Sequence, residues 1–196
     1  MEVLDVAPLG GLACQRDPYL VELETEVLTC EPSSERAGLF RVVTKDSVLF
    51  PEGGGQPADR GRINGIEVAD IQRERGLCVI YMPTEIAPGT QASMKLDWSR
   101  RFDHMQQHTG QHVISAVIEQ QKGWATVGWN LGEGTCFVEL STPSLDADVI
   151  QQFEESVNAE IKEPRDVIEH VSPPGIEAAA ARVTLKSELN SLYAHV

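Results

Sequence analysis

The sequence has few basic residues, few aromatic residues and no long apolar run. Its 16 Lys and Arg residues stand against 30 Asp and Glu, which gives a formal net charge of -14. Bulk binding of nucleic acid needs clustered cations, so any RNA contact must be local and no DNA partner is expected. No apolar run approaches the roughly 18 residues of a membrane span, and the first residues are acidic where a signal peptide is basic. We therefore expect a cytoplasmic protein with no membrane partner.

The cysteines are also few, and they are widely spaced. Cys14, Cys30, Cys78 and Cys136 form no C-x-x-C pair and no dense framework like that of small secreted domains, so we expect reduced thiols. Hydrophobic residues make up 41% of the sequence and charged residues 23%, values typical of globular proteins. At 196 residues the chain is long enough for one large or two small domains, and we expect two.

Short alternating segments with frequent turns dominate the first half of the sequence. Strands are predicted at 20–28, 40–44, 47–50, 61–68, 77–82 and 92–97. The pair Asn64-Gly65 inside the fourth segment predicts a tight hairpin turn. These short strands indicate a small β-barrel, which we place at residues 1–98.

The apolar period changes to that of a helix after residue 97. Helices are predicted at 98–121 and at 147–161, the second capped by Ser144 or Asp146. Strands are predicted at 124–129, 135–140 and 167–171, and the alanine-rich residues 175–196 also have a helical composition. The second domain, residues 99–196, is therefore predicted to mix helices with strands.

Three histidines recur at intervals of four residues on the first predicted helix. His104, His108 and His112 advance only about 40° per step around an α-helix, so they line one stripe. Two imidazoles one turn apart can reach the same zinc ion. The alternative is that they are partly exposed polar residues that bridge neighbouring elements. Two ligands also do not close a tetrahedral site, so a metal centre needs ligands from elsewhere.

A glycine-rich segment follows the third predicted strand. It reads Phe50-Pro-Glu-Gly-Gly-Gly-Gln-Pro-Ala-Asp-Arg-Gly61, and its three consecutive glycines let the backbone approach a ligand closely. A plain turn is the alternative, although a two-residue turn already suffices for a hairpin. The segment has neither the lysine of a P-loop nor a following helix, so we do not expect it to bind ATP.

The glycine-rich segment and the histidine helix together resemble one family. Leu49-Phe-Pro-Glu-Gly-Gly-Gly-Gln-Pro57 and Arg101-Phe-Asp-His-Met-Gln-Gln-His-Thr-Gly-Gln-His112 are similar to segments of the AlaX-type alanyl-tRNA editing proteins, relatives of the editing domain of alanyl-tRNA synthetase. Cys14-Gln-Arg-Asp-Pro-Tyr-Leu20, Leu96-Asp-Trp-Ser-Arg-Arg101 and Trp129-Asn-Leu-Gly132 resemble the animal form. The resemblance covers residues 12–172.

The resemblance implies an α+β fold, an activity and a metal. The expected fold is an N-terminal small β-barrel followed by an editing domain of the threonyl/alanyl-tRNA synthetase type. The expected activity is hydrolysis of the ester in mischarged tRNA(Ala), with one Zn²⁺ per chain. His108 and His112 match the first two zinc ligands of the family, which leaves His104 as a neighbour of the site.

The resemblance also implies substrate contacts. The glycine-rich loop encloses the aminoacyl end in such proteins, which assigns this role to Gly53, Gly54, Gly55 and Gln56. Thr109 matches a pocket position that meets a substrate hydroxyl. A site that hydrogen-bonds a hydroxyl rejects analogues lacking it, so seryl-tRNA(Ala) is the expected substrate and alanyl-tRNA(Ala) the spared one.

The chain departs from the family pattern in its last residues. The family takes its other two zinc ligands from a later C-x-x-x-H segment, and this sequence has none. We expect a shortened or replaced C-terminus, with a divergent tail at 175–196 and an incomplete editing domain. Substitute ligands could come from Cys136, His104, His170 or His195, although their order does not copy the family.

Three hypotheses about function remain open at this stage. The first is a zinc-dependent aminoacyl-tRNA deacylase in which water attacks directly, since the sequence has no G-x-S-x-G elbow and no evident Cys-His nucleophile pair. The second is an inactive tRNA-binding or regulatory form of the same family. The third is a metal-binding β-barrel protein that does not act on RNA. Candidate cations for an RNA contact are Arg60, Arg62, Arg100, Arg101 and Lys122.

Overall fold

The computed structural model describes residues 5–162 in full and, beyond them, the backbone of three strands at 166–170, 184–185 and 191–195. The chain divides into two compact units, Met1–Met105 and Gln106–Val196. This division falls within the long helix α2, Trp98–Lys122, seven residues beyond the boundary that we placed after residue 98 from the sequence. The sequence-based boundary, which coincides with the start of the helix, stays a prediction.

The first unit is built on a curled, seven-stranded antiparallel sheet. Its strand order is β4-β3-β7-β1-β2-β6-β5. The short helix α1, Ala13–Arg16, precedes the sheet. The strands are β1 Glu22–Pro32, β2 Phe40–Thr44, β3 Gly61–Ile63, β4 Ile66–Glu67, β5 Asp70–Glu74, β6 Leu77–Met82 and β7 Gln91–Leu96. The predicted α+β class is confirmed, and most predicted strands lie within two residues of the observed ones.

The long strand β1 joins the two halves of this sheet. Its first residues pair with β7, where Glu22 lies opposite Lys95, and its last residues pair with β2, where Pro32 lies opposite Phe40. A register shift interrupts the β1–β2 pairing between Val27 and Thr29. Such bulges increase the local twist and bend the strand, which lets one strand serve both halves of a curled sheet.

The core of the first unit is enclosed by this sheet. Alternate residues of β7 are buried and exposed in turn, as expected of a strand with one face on the core. The side chains that are completely inaccessible to solvent include Val27, Val42, Leu49, Ile63, Ile71, Ile80, Met82 and Met94. The hairpin predicted at Asn64-Gly65 is confirmed, and both residues have positive φ, 51° and 80°.

The strand predicted at 47–50 is wrong, because side chains satisfy the backbone there. Ser47 Oγ accepts a hydrogen bond from Leu49 N at 3.0 Å and donates one to Leu49 O at 2.9 Å. Phe50 N donates to Asp59 Oδ2 at 2.7 Å. Serine and aspartate compete with a sheet ladder in this way, and the period of the apolar residues does not reveal it. Conversely, β5 was not predicted, since it contains a single apolar residue, Ile71.

The second unit begins with the remainder of α2 and continues as an α+β structure. Strands β8, Thr126–Leu131, and β9, Cys136–Leu140, form an antiparallel hairpin, and helix α3 follows at Ala147–Lys162. Val113 and Val117 of α2 pack with Val157 of α3. A three-stranded sheet contains β10, Asp166–His170, β11, Thr184–Leu185, and β12, Ser191–His195.

The helix predicted for residues 175–196 is wrong where the structure describes this segment. Residues 184–185 and 191–195 are strands, and the other residues of the prediction lie outside the described part of the chain. Strand β12 pairs in parallel with β10 and antiparallel with β11. Pairing with partners distant in sequence outweighs local helix propensity, which is worth only tenths of a kcal/mol per residue. None of the described helices combines the length and apolarity needed to cross a bilayer.

Candidate functional site

The two predicted zinc ligands lie together in the second unit. His108 and His112 are one helical turn apart on α2, and their rings stack with centroids 4.8 Å apart and planes inclined by 24°. The indole of Trp129, on β8, contacts both rings, with centroid distances of 5.1 Å to His108 and 6.4 Å to His112. The helix period thus places the two imidazoles on one face, and the β8–β9 hairpin supplies an aromatic surface beside them.

Partial burial keeps both imidazoles neutral. Burial lowers the pKa of His108 from its usual 6.5 to about 4, and the neighbouring His112 lowers it further. Burial also lowers the pKa of His112. Neutral imidazole is the form that binds a metal, because its lone pair is not occupied by a proton. At neutral pH the pair is therefore ready to act as two nitrogen ligands.

Hydrogen bonds hold the hairpin against the helix that carries these histidines. Gln107 Nε2 donates to Gly132 O at 3.0 Å, and Gly132 N donates back to Gln107 Oε1 at 3.3 Å. Thr126 Oγ1 donates to Ser115 Oγ at 2.7 Å, which binds the start of β8 to the same helix. Bonds on both sides of Trp129 thus fix the strand from which its ring meets the histidines.

The described residues supply only part of a zinc site. His108 and His112 fit two positions of a tetrahedral centre, but within residues 5–162 no third His, Cys, Asp or Glu joins them in a group able to hold a metal. Cys136 lies opposite Leu131 in the hairpin register, on the face that Trp129 also occupies, yet it is not part of such a group. The side chains of His170 and His195 lie outside the described residues.

His104 belongs to the first unit and is buried, only 2% of it being exposed. Burial lowers its pKa, and the nearby Arg100 lowers it further. Its Nδ1 has no hydrogen-bond partner among the described residues. Its burial and lowered pKa indicate that His104 packs in the core of the first unit as a neutral side chain. Its assignment as a neighbour of the metal site stays a prediction.

The glycine-rich loop in the first unit is a tight turn. Gly53 and Gln56 exchange two backbone hydrogen bonds of 3.1 Å, and Gly54 and Gly55 between them have φ values of 61° and 79°. Positive φ at both central positions is the two-residue hairpin geometry that favours glycine. A glycine is required at Gly53 for a different reason, the close approach of a side chain. A Cβ on Gly53 would lie 2.3 Å from the guanidinium of Arg73, which stacks over Phe50 at 5.3 Å.

A buried ion pair closes the base of this loop. Asp59 N donates to Phe50 O at 3.0 Å, and the Asp59 carboxylate accepts the bond from Phe50 N described above, so the two residues bracket the loop. Arg101 Nε donates to Asp59 Oδ1 at 3.0 Å, and both side chains are almost completely buried. Arg101 also donates to Val48 O and Pro18 O, at 2.8 and 2.9 Å.

The structure therefore corrects one predicted RNA contact and places the others. Arg101 is not placed to contact a ligand, because its guanidinium is buried and its three nitrogen atoms all donate to groups inside the first unit. Sequence reasoning missed the role of Asp59, which carries no motif signal. Arg60, Arg62 and Lys122 are exposed, whereas Arg100 is partly buried and donates to Ala58 O at 3.2 Å. Thr109, the predicted contact for a substrate hydroxyl, is exposed on α2.

Comparison with known proteins finds several relatives that are named alanyl-tRNA editing proteins. The chain is 43% identical over 160 residues to "Alanyl-tRNA editing protein Aarsd1" of Rattus norvegicus, covering 76% of this chain and 39% of the relative. It is 36% identical over 140 residues to "Putative alanyl-tRNA editing protein alaX" of Saccharomyces cerevisiae, covering 63% and 31%. It is 33% identical over 150 residues to "Alanyl-tRNA editing protein AlaX-L" of Pyrococcus horikoshii, covering 73% and 36%. No protein-family model matches the chain.

These relatives bear the name that the motifs indicated, and the matched region covers most of the chain. The predicted resemblance to the alanyl-tRNA editing family is thus confirmed over about three quarters of this chain, which spans about two fifths of the relatives that it matches.

Proposed function

We propose that this chain acts in editing as a hydrolase that deacylates mischarged tRNA(Ala) in the cytoplasm, with Ser-tRNA(Ala) as its substrate. The observation that carries the proposal is the pair of neutral, stacked imidazoles of His108 and His112 in a chain 43% identical to a named editing protein. Because the chain spans 39% of that relative, the activity is a proposal for this chain and not a property transferred from the name.

Zinc is the cofactor proposed for this pair. Two neutral nitrogen ligands suit it, and the remaining ligands must come from outside the described residues or from solvent. When bound in such a site, zinc either polarises a water molecule or orients the substrate. The stacking of His108 against His112 and Trp129 restricts the orientation of both rings, which lowers the cost of ordering them around a metal.

The rest of the reaction requires positioning of the substrate. In the proposal, the hydroxyl of Thr109, on the same helix as the two histidines, hydrogen-bonds the serine hydroxyl. Water adds to the ester carbonyl, the bond to the ribose oxygen breaks, and that oxygen takes up a proton while the amino acid leaves.

The two buried cysteines, Cys14 and Cys78, are unsuited to form a covalent intermediate. Burial raises the pKa of Cys14 and of Cys78 to about 12, so neither thiol forms a thiolate at neutral pH. A buried, protonated thiol is a poor nucleophile, which favours direct attack by water.

A second candidate function is an inactive tRNA-binding or regulatory form of the same family. The observation in its favour is that residues 5–162 bring no third metal ligand to His108 and His112. The two candidates differ in zinc content and in turnover. A metal-binding β-barrel protein with no role in RNA metabolism would differ from both by failing to bind tRNA.

The test compares zinc content and deacylation of Ser-tRNA(Ala) in the purified chain and in two double variants. His108→Ala with His112→Ala removes the proposed ligands, whereas Gln106→Ala with Gln120→Ala changes two exposed positions on the same helix. We expect about one zinc per chain and turnover in the wild type and the control, and loss of both in the histidine variant. Turnover that persists in the histidine variant would overturn the proposed site, and absence of both in the wild type would favour the inactive form.

A further inference from the structure

One row of charged side chains crosses four strands of the first unit at a single register. Arg62 on β3 lies directly opposite Glu67 on β4 and Lys95 on β7, and Lys95 lies opposite Glu22 on β1. Directly opposite residues lie on the same face of a sheet, with Cβ atoms about 5 Å apart. Two cations therefore stand side by side in the middle of the row, with one carboxylate at each end.

Stability does not account for this pairing of cations. Arg62 Nη2 lies 3.0 Å from Glu67 Oε1, and Lys95 Nζ lies 2.6 Å from Glu22 Oε1. All four side chains are more than half exposed. Exposed ion pairs of this kind contribute only about 0–1 kcal/mol, and like charges directly opposite each other in a sheet are unfavourable. The repulsion between Arg62 and Lys95 offsets part of the small stabilisation from the two ion pairs, so the row adds little to the free energy of unfolding. The two adjacent cations therefore call for another explanation.

The same row borders an open groove within the first unit. The groove has a volume of about 520 Å³, and its charged lining residues are Arg60, Arg62, Lys95, Glu67 and Asp97. Close packing fixes the backbone beneath it. A Cβ on Gly61 would lie 2.5 Å from Lys95 O, and Asp97 N donates to Arg60 O at 2.7 Å. The cations thus stand on strands that cannot shift relative to each other.

The neighbouring surface has the opposite charge. Further along the same two strands, Glu24 lies opposite Ser93 and Glu26 lies opposite Gln91, so no cation accompanies these carboxylates across β7. Among β1, β3 and β7 the only cations are Arg62 and Lys95, at the register next to the start of β3, which follows the base of the glycine-rich loop at Asp59. On this part of the sheet, a polyanion is therefore favoured at the register of Arg62 and Lys95 over the carboxylates further along β1.

We propose that Arg62 and Lys95, with Arg60 beside them, bind the phosphodiester backbone of an RNA strand. The proposal rests on the proposed function, because the RNA that it serves is the aminoacylated tRNA. In the free protein Glu67 and Glu22 hold the two cations in place, and on binding, phosphates replace these carboxylates. Lysine and arginine contacts to phosphate supply affinity that does not depend on the RNA sequence. Such contacts suit an enzyme whose specificity comes from the aminoacyl end of its substrate.

The experiment measures binding of deacylated tRNA(Ala) to the full chain at several salt concentrations. The test variant is Arg62→Gln with Lys95→Gln. The matched control is Lys45→Gln with Arg75→Gln, two exposed cations of the same unit that do not line the groove. Both variants move the formal charge from -14 to -16, since each loses two positive charges, so they differ only in where the charge is lost.

The test variant should bind on the order of tenfold or more weakly at about 0.1 M salt, and its salt slope should fall by about 1.4–1.8. The control should keep most of the wild-type affinity and its slope. Equal losses in the two variants, or none in either, would overturn the proposal while leaving the proposed function intact. A wild-type chain that binds no tRNA at all would overturn both. Thermal unfolding checks that the variants are folded.

Two further measurements sharpen the outcome. Glu67→Gln removes a competing carboxylate, so it should tighten tRNA binding, whereas Glu85→Gln makes the same charge change at an exposed site outside the groove and should not. Polyglutamate serves as a competitor of a different class. If polyglutamate displaces the tRNA at equal charge concentration, the row binds acidic peptides and the assignment to RNA is wrong.

Discussion

The two units of this protein use their polar residues in different ways. In Met1–Met105 the buried ion pair of Arg101 and Asp59 bonds internally and to the surrounding backbone. In the described part of Gln106–Val196, by contrast, the imidazoles of His108 and His112 are only partly buried and stack on each other and on Trp129. The first arrangement fixes a scaffold, and the second sets two neutral imidazoles side by side on one helix face.

This difference shows that residues of a single sequence motif can have different roles, one stabilising the fold and another suited to bind a ligand. Arg101 and His112 stand at the two ends of one sequence motif, on the same helix. Arg101 uses its guanidinium to hold the base of the glycine-rich loop and is buried there, so it is not exposed to a substrate. Proximity in the sequence to a candidate ligand is therefore not evidence of a role in binding.

The largest expected effect is the loss of the buried cation in the first unit. Arg101→Met leaves the Asp59 carboxylate buried without its partner and should lower the free energy of unfolding by about 3–5 kcal/mol. Arg62→Met removes an exposed cation from the same unit and should cost no more than about 1 kcal/mol. Denaturant unfolding measures both. Similar losses in the two variants would mean that the buried pair is not the structural element inferred for the first unit.

An intermediate effect is expected from acidification of the second unit. The pKa of His108 is about 4 in the folded chain and about 6.5 when unfolded, so the unfolded state binds the proton more readily between these values. Its contribution to stability is complete above pH 6.5 and is lost as the pH falls towards 4. His108→Gln should therefore reduce the loss of unfolding free energy between pH 7 and pH 5 by about 1 kcal/mol, allowing for solvent screening.

This measurement is made with a chelator present, so that proton binding is not confused with metal release. Gln106→Ala, at an exposed position two residues away, should keep the wild-type dependence on pH. An unchanged dependence in His108→Gln would mean that this imidazole is as hydrated in the folded chain as in the unfolded one.

Two glycine substitutions should have effects of opposite sign in the two units, and the stabilising one is the smallest effect predicted. An added Cβ meets no atom within 4 Å at Gly54 or at Gly110, so backbone conformation alone separates the two substitutions. Gly54→Ala forces a side chain into positive φ and should cost about 1–2 kcal/mol. Gly110→Ala lies inside α2 and should stabilise the chain by about 0.5–1 kcal/mol. Melting temperatures measure both, and shifts of the same sign would contradict this account.

Sequence reasoning identified most of the elements because their periods are local properties. The alternation in β7 and the helical period of α2 are legible in the chain itself, as are the hairpin at Asn64-Gly65 and the pairing of His108 with His112. It failed at 47–50, where Asp59 and Ser47 satisfy backbone groups, and at 184–185 and 191–195, where partners distant in sequence form a sheet. The period of the apolar residues reveals neither the bonds that Ser47 and Asp59 make to the backbone nor the pairing of β12 with β10, whose partners lie 25 residues apart.

The sequence alone determined the relationship to the editing proteins, the hairpin at Asn64-Gly65 and the stripe of histidines, since each depends on residue type and spacing. Tertiary structure decided which of those residues remain available. It buried Arg101 against Asp59, brought Trp129 onto the imidazoles and set Arg62 beside Lys95 across two strands. Burial and strand register depend on how segments distant in sequence pack together, and these two properties determine whether a polar side chain stabilises the fold or binds a ligand.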